Sequence, residues 1–148
     1  MEPASYQETQ TGVWTLVVLF VVGALELKFG LNLQPEWFTL ALVLGLGLLA
    51  VIFSSMTIRV TPEAVEWWLG LPLMKRRVPI ADIASVSAGQ VGWLTGLGIR
   101  TDGRNVTWIV TGRSVVILTL ANGRHTRLGS NEPERVVEAI RAALGEAK

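Results

Sequence analysis

The chain has 148 residues, a net charge of +1 and no cysteine, so disulfides, thiolate metal sites and cysteine nucleophiles are excluded. Half of its residues are hydrophobic and the mean hydropathy is +0.44, which suits a membrane segment joined to a small domain better than one ordinary soluble domain. The charge is unevenly spread: residues 57–148 carry twelve of the 13 Lys and Arg but eight of the 12 acids, a surplus too thin for a nucleic-acid binder and compatible with an anionic lipid surface.

Residues 1–12 read as a polar N-terminal tail. Glu2 and Glu8 stand there without any Lys or Arg, so the stretch lacks the basic start of a signal peptide, and the apolar run behind it is expected to stay on the protein. Residues 13–56 read as a hairpin of two transmembrane helices. The second, from Trp37 to Met56, has no charge at all and is long enough to cover a hydrocarbon core of roughly 30 Å. The first, from Val13 to Gly30, is interrupted by Glu26 and Lys28 near its end, where side chains reach the headgroup layer. Glu26 is the candidate intramembrane polar residue, because an ionisable group in lipid is costly and often belongs to a pathway; the plainer reading is a side chain that snorkels from the helix end.

Gly30 and Asn32 suit a helix end and Pro35 suits a helix start, so the turn between the spans is tight. Folding about residues 33 and 34 brings Gly23 level with Gly45 and Gly47, which predicts small residues facing each other where the helices approach. Trp14 and Trp37 fall at opposite membrane faces. The excess of positive charge follows the second helix, at Arg59 and at Lys75, Arg76 and Arg77, which predicts a multi-pass cell-membrane protein with both termini cytoplasmic.

From residue 57 to 148 the pattern changes to short alternating segments between turn residues, which predicts antiparallel β structure. Strands are readable at 57–60, 65–69, 74–78, 83–88, 99–101, 106–110, 114–120 and 124–128, with turns at Thr61-Pro62-Glu63-Ala64, Asp102-Gly103, Thr111-Gly112-Arg113 and Asn122-Gly123. The last is expected as a two-residue hairpin turn, since both residues tolerate positive φ. The end is helical: Ser130 or Asn131 can cap, Pro133 lies in the first turn, and Val136, Val137, Ile140 and Leu144 form one apolar stripe. The sum is seven or eight strands closed by one amphipathic helix.

The order of these strands, the segment Leu-Pro-Leu-Met-Lys-Arg-Arg-Val-Pro-Ile-Ala-Asp-Ile at 71–83, Gly-Leu-Gly-Ile-Arg at 96–100, and Val-Ile-Leu-Thr-Leu-Ala-Asn-Gly-Arg at 116–124 followed by Gly-Ser-Asn-Glu-Pro-Glu resemble the bacterial PH-like (pleckstrin-homology-like) domains. Such domains occur behind two transmembrane helices in many small bacterial membrane proteins. The resemblance covers about residues 57–145. It implies a seven-stranded barrel or sandwich capped by a C-terminal α-helix, and it brings no catalytic residues with it.

Residues that could carry chemistry are few. His125 is the lone histidine, placed in an expected edge strand without a second His or any Cys, and reads as a surface residue rather than a ligand or base. No serine sits in a Gly-x-Ser-x-Gly setting, Gly96-Leu97-Gly98 lacks the Lys-Ser/Thr of a phosphate loop, and the acids are scattered. The reading is therefore of a protein that is not an enzyme and has no cofactor. Lys75, Arg76 and Arg77 are the densest basic cluster; in a strand Lys75 and Arg77 share one face and Arg76 takes the other, so at most two of them meet one surface. A solvated edge that discourages stray pairing accounts for them as well as lipid binding does. Trp67 and Trp68 are consecutive, so one faces away from the core. Trp93 and Leu94, in the glycine-rich stretch 89–98, are the other candidate interaction residues, since a purely solvated loop has no use for them. These features predict a membrane-anchored binding or scaffold module acting through a protein partner or its own copies, with the lipid bilayer as a second partner and no nucleic acid. Lipid-headgroup sensing by the basic cluster, and an accessory role in a larger membrane complex, are the alternatives.

Overall fold

A computed structural model describes residues 6–30, 35–92 and 98–146 of the chain. The segment read as a polar tail supplies the first strand, β1 (Tyr6–Thr11), which pairs antiparallel with β2 (Ser55–Val60) along its whole length, from Tyr6 opposite Val60 to Thr11 opposite Ser55. Its sequence, Tyr-Gln-Glu-Thr-Gln-Thr, has no apolar alternation to betray a strand. Specific polar contacts add to the ladder: Thr9 and Thr57 join hydroxyls at 3.0 Å, and Gln10 is buried.

Between β1 and β2 the described residues are helical apart from Gly12, Pro35 and Ser54. Helix α1 (Val13–Leu25) passes into a five-residue π-helical turn (Glu26–Gly30), and α2 (Glu36–Phe53) returns to β2. The Gly12 N–H donates to the Ser54 carbonyl at 2.7 Å, so the β ladder runs up to the helix ends and both helices leave the same end of the sheet side by side. Helix α2 has 18 residues at a mean hydropathy of 2.2 and is almost wholly exposed, which makes it long and apolar enough to cross a membrane. By the same measure it is the one such helix among the described residues, because α1 ends as an α-helix after 13 residues. The expected clear pair of spans is thus observed as one full-length apolar helix beside a shorter one with a π extension.

The glycine expectation holds in part. Gly23 and Gly47 line a common apolar groove of about 700 Å³ between the helices, but a Cβ added at either, or at Gly45, would meet nothing within 4 Å. The helices leave a groove where the small residues were expected to touch.

The rest is a mixed α/β domain of two sheets and one helix. The first sheet has the order β1-β2-β3-β4, with β3 at Ala64–Leu69 and β4 at Arg76–Pro79. The second has the order β5-β8-β9-β7-β6, with β5 at Ile83–Gln90, β6 at Gly98–Asp102, β7 at Asn105–Ile109, β8 at Ser114–Leu120 and β9 at His125–Gly129. Against the expected seven-stranded barrel or sandwich there are nine strands among the described residues, in two sheets that form no closed barrel. The second sheet is not purely antiparallel either: β7 and β9 are parallel, because β8 skips one place and the β8–β9 hairpin returns the chain into the gap.

Turn chemistry explains the joins. Thr61 N–H donates to the Ala64 carbonyl and Thr61 Oγ1 accepts from Ala64 N–H, fixing the expected β2–β3 turn. In the β8–β9 turn only Gly123 has positive φ, at 79°, so Asn122 and Gly123 do not form the expected two-residue turn; the loop closes through Leu120 N–H to the Arg124 carbonyl. At the end of the domain next to the helices, Gly70 takes φ 49° and lies so close to the Val51 and Ile52 carbonyls that no side chain fits. That contact ties the turn after β3 to the last turn of α2.

Helix α3 (Pro133–Glu146) closes one side of the sandwich by packing on β1, β2, β5 and β8. Val136, Val137 and Ile140 are buried as the stripe predicts, with Ala143 completing it and Leu144 half-buried at its border. They join Met56, Ile58, Val65, Leu118 and Leu128 in one core. The start of α3 is held from β1: Glu8 accepts from Ser130 Oγ at 2.6 Å and from the Asn131 N–H at 2.7 Å, while Ser130 Oγ accepts from the Glu132 N–H.

Candidate functional site

With α3 on one side of the sandwich, the opposite opening is left as a cleft of about 260 Å³ between β3–β4 and the β7–β9–β8 part of the second sheet. Its floor is aromatic. Trp67 and Trp108 are both buried and meet edge to face, with ring centroids 6.3 Å apart. Val78, Val106 and Leu120 form apolar walls, and Arg76, Arg77 and Arg124 stand at the exposed rim. A second hollow, lined by Arg77, Pro79, Asp82 and Asn122, continues along β4 and shares Val78 and Leu120 with the first.

Strand register decides which cation reaches the cleft. Arg76 lies directly opposite Trp67 and Arg77 directly opposite Glu66, and residues opposite each other in an antiparallel pair share a face. Arg76 therefore sits on the inner face with Trp67, and Arg77 on the outer face with Glu66, from where it borders the cleft only at its edge. The outer face is neutralised: Lys75 Nζ is 2.8 Å from Glu66 Oε2 and 5.6 Å from the Trp68 ring centroid, and Arg77 reaches Glu63 at 3.4 Å and Glu66 at 4.0 Å. Trp68 is the outward member of the tryptophan pair, half-buried under Lys75. The division of the basic cluster between two faces is as the alternation predicts.

Neither Arg76 nor Arg124 has an ion-pair partner among the described residues, and no carboxylate lines this cleft; Asp82 belongs to the adjoining hollow. Arg124 is steadied by its neighbours, its Nε donating to the Arg104 carbonyl at 3.3 Å and its N–H to Asn122 Oδ1 at 3.0 Å. Trp67 Nε1 is buried and has no acceptor. A buried N–H without a partner costs about 1–3 kcal/mol, so its persistence beside a cationic cleft is informative. Sequence reading missed Arg124, Trp67 and Trp108 as members of one site, for they come from the β8–β9 turn, β3 and β7, which only the sheet packing brings together.

The other candidates stand apart. His125 lies on the central strand of its sheet and not on an edge; its Nδ1 is 3.1 Å from the Thr119 hydroxyl and its N–H donates to Asn105 Oδ1. No cluster of His, Asp or Glu that could hold a metal occurs among the described residues. Glu26 falls in the π turn at the far end of α1, half-buried. Trp93 and Leu94 lie outside the described residues; β5 reaches Gln90 and β6 begins at Gly98, which shortens the expected loop. Tyr6, on β1, donates to Glu132 at 3.2 Å, and burial, with the Glu8 carboxylate next in weight, raises its hydroxyl above the usual tyrosine range. No protein-family model matches the chain, and no curated protein is significantly similar to it.

Proposed function

We propose that the chain is a non-enzymatic, membrane-anchored binding module of PH-like type, in which the two helical runs cross the bilayer and carry the β domain at its cytoplasmic face. What supports the membrane reading is the distribution of exposed apolar side chains. Among the described residues, every large hydrophobic that is substantially exposed lies on the helical hairpin, except Leu71, Met74 and Ile99. Leu71 and Met74 belong to the turn that Gly70 ties to the end of α2. They extend the apolar surface of the helices onto the domain's lower rim, with Lys75 and Trp68 beside them at headgroup height. The domain then rests on the membrane through this turn. The partner it binds there is a ligand or protein, and self-association through the Trp93–Leu94 segment remains part of the proposal.

Since the chain has no cysteine, single-cysteine labels report one position each. A solvatochromic dye at Met74→Cys in nanodiscs should report an apolar setting, and the same dye at Ile99→Cys an aqueous one. A reporter fused after Lys148 should be active only in its cytoplasmic form. Equal, aqueous spectra at both positions, or release of the chain from membranes by alkaline carbonate, would refute the anchoring.

A further inference from the structure

We propose that the inter-sheet cleft is a binding site for a small organic oxyanion, a carboxylate or phosphate group on a flat apolar body. The inference deepens the binding-module reading but does not depend on how the helices sit in the membrane. Three observations converge on this chemistry. First, Arg76 and Arg124 approach the cleft from different sheets and neither is neutralised by a carboxylate, whereas Arg77 and Lys75, a residue away on the other face, are. A guanidinium presents a planar fork of donors that matches the oxygens of carboxylate and phosphate. Second, the floor between them is the Trp67–Trp108 pair, a surface that accepts a flat apolar body and not a hydrated ion. Third, Trp67, which lines the cleft, carries a buried indole N–H with no acceptor, so one polar group beside this wall is left unsatisfied.

The volume of about 260 Å³ limits the enclosed part to a group near the size of a phosphorylated or carboxylated ring, at the small end of ligand sites. The remainder of a longer ligand would run along β4 into the hollow beside Asp82 and Asn122. Two sources offer this chemistry, a soluble metabolite and an anionic lipid headgroup, and the experiment separates them.

The full chain, reconstituted in phosphatidylcholine nanodiscs at low salt, is titrated with phenyl phosphate and followed by calorimetry and by the indole N–H resonances, with Trp67 assigned through Trp67→Phe. Saturable binding that shifts the Trp67 resonance is expected. Arg76→Gln and Arg124→Gln should each weaken it at least about tenfold, the loss expected for a charge-assisted hydrogen bond, while Arg113→Gln, on the loop before β8, should leave it unchanged. If Arg76→Gln fails to fold, Arg124→Gln decides alone, because Arg124 lies in an exposed turn. Exchanging part of the phosphatidylcholine for phosphatidylglycerol assigns the source: competition with phenyl phosphate marks a headgroup site, and its absence a soluble ligand. No saturable binding by the folded wild-type chain, or an equal loss in Arg113→Gln, would overturn the proposal. Binding that persists while the topology reporter fails would leave the cleft standing and remove only the membrane arrangement.

Discussion

The helical hairpin and the β domain solve opposite problems with similar residues. In the domain, Met56, Val65, Leu118, Leu128 and Ile140 lose all contact with solvent because two sheets and α3 enclose them. In the hairpin, Phe20, Leu40, Leu44 and Leu48 stay at least 60% exposed, and the helices are separated by a groove instead of an interlocked seam. Two helices cannot bury each other's circumference, and it is this exposed apolar surface that the anchoring proposal accounts for. The domain is stabilised by burial within itself; the hairpin is not.

This contrast can be broken by paired substitutions in the full chain in detergent. Ile140→Ala removes a fully buried side chain and should cost about 2–5 kcal/mol in denaturant unfolding of the domain, whereas Leu44→Ala, at an exposed helix position, should change it by less than about 0.5 kcal/mol. Similar losses at both positions would mean that the hairpin has a packed core after all. The joint between the regions is tested next. Gly70→Ala forces a side chain into a positive φ and against the backbone of α2, and a loss of about 2–4 kcal/mol is expected in the midpoint of thermal unfolding. A smaller effect comes from the strand that precedes the hairpin. Glu8→Ala removes the carboxylate that receives Ser130 Oγ and the Asn131 N–H, and should destabilise the domain by about 1.5–3 kcal/mol, with faster amide exchange at the start of α3.

The smallest effect is alkaline. The folded chain holds the Tyr6 proton more tightly than the unfolded chain does, so the unfolded state loses it first as pH rises past about 10. Stability from this group is full below that pH and declines above it, up through the raised folded value. Tyr6→Phe should flatten that decline in a pH series of unfolding midpoints; an unaltered alkaline slope would assign it to other groups.

Sequence alone determined what depends on near neighbours: the uncharged run of α2, the turn at Thr61–Ala64, the stripe of α3 and the separation of Arg76 from Lys75 and Arg77 across a strand. Each follows from a period of 3.6 or 2, or from a turn residue, and these act over a few positions. Tertiary structure decided what depends on distant pairing. Tyr6–Thr11 carries no apolar alternation and becomes a strand only because β2, more than forty residues later, offers an open edge. The parallel β7–β9 pair and the central position of His125 follow from where β8 crosses. The cleft itself exists because β3, β4, β7, β8 and β9 converge where α3 does not reach, bringing Arg76 and Arg124 to one aromatic floor. Such convergence is set by how two twisted sheets can pack and which opening one helix can cover, and no local pattern along the chain encodes it.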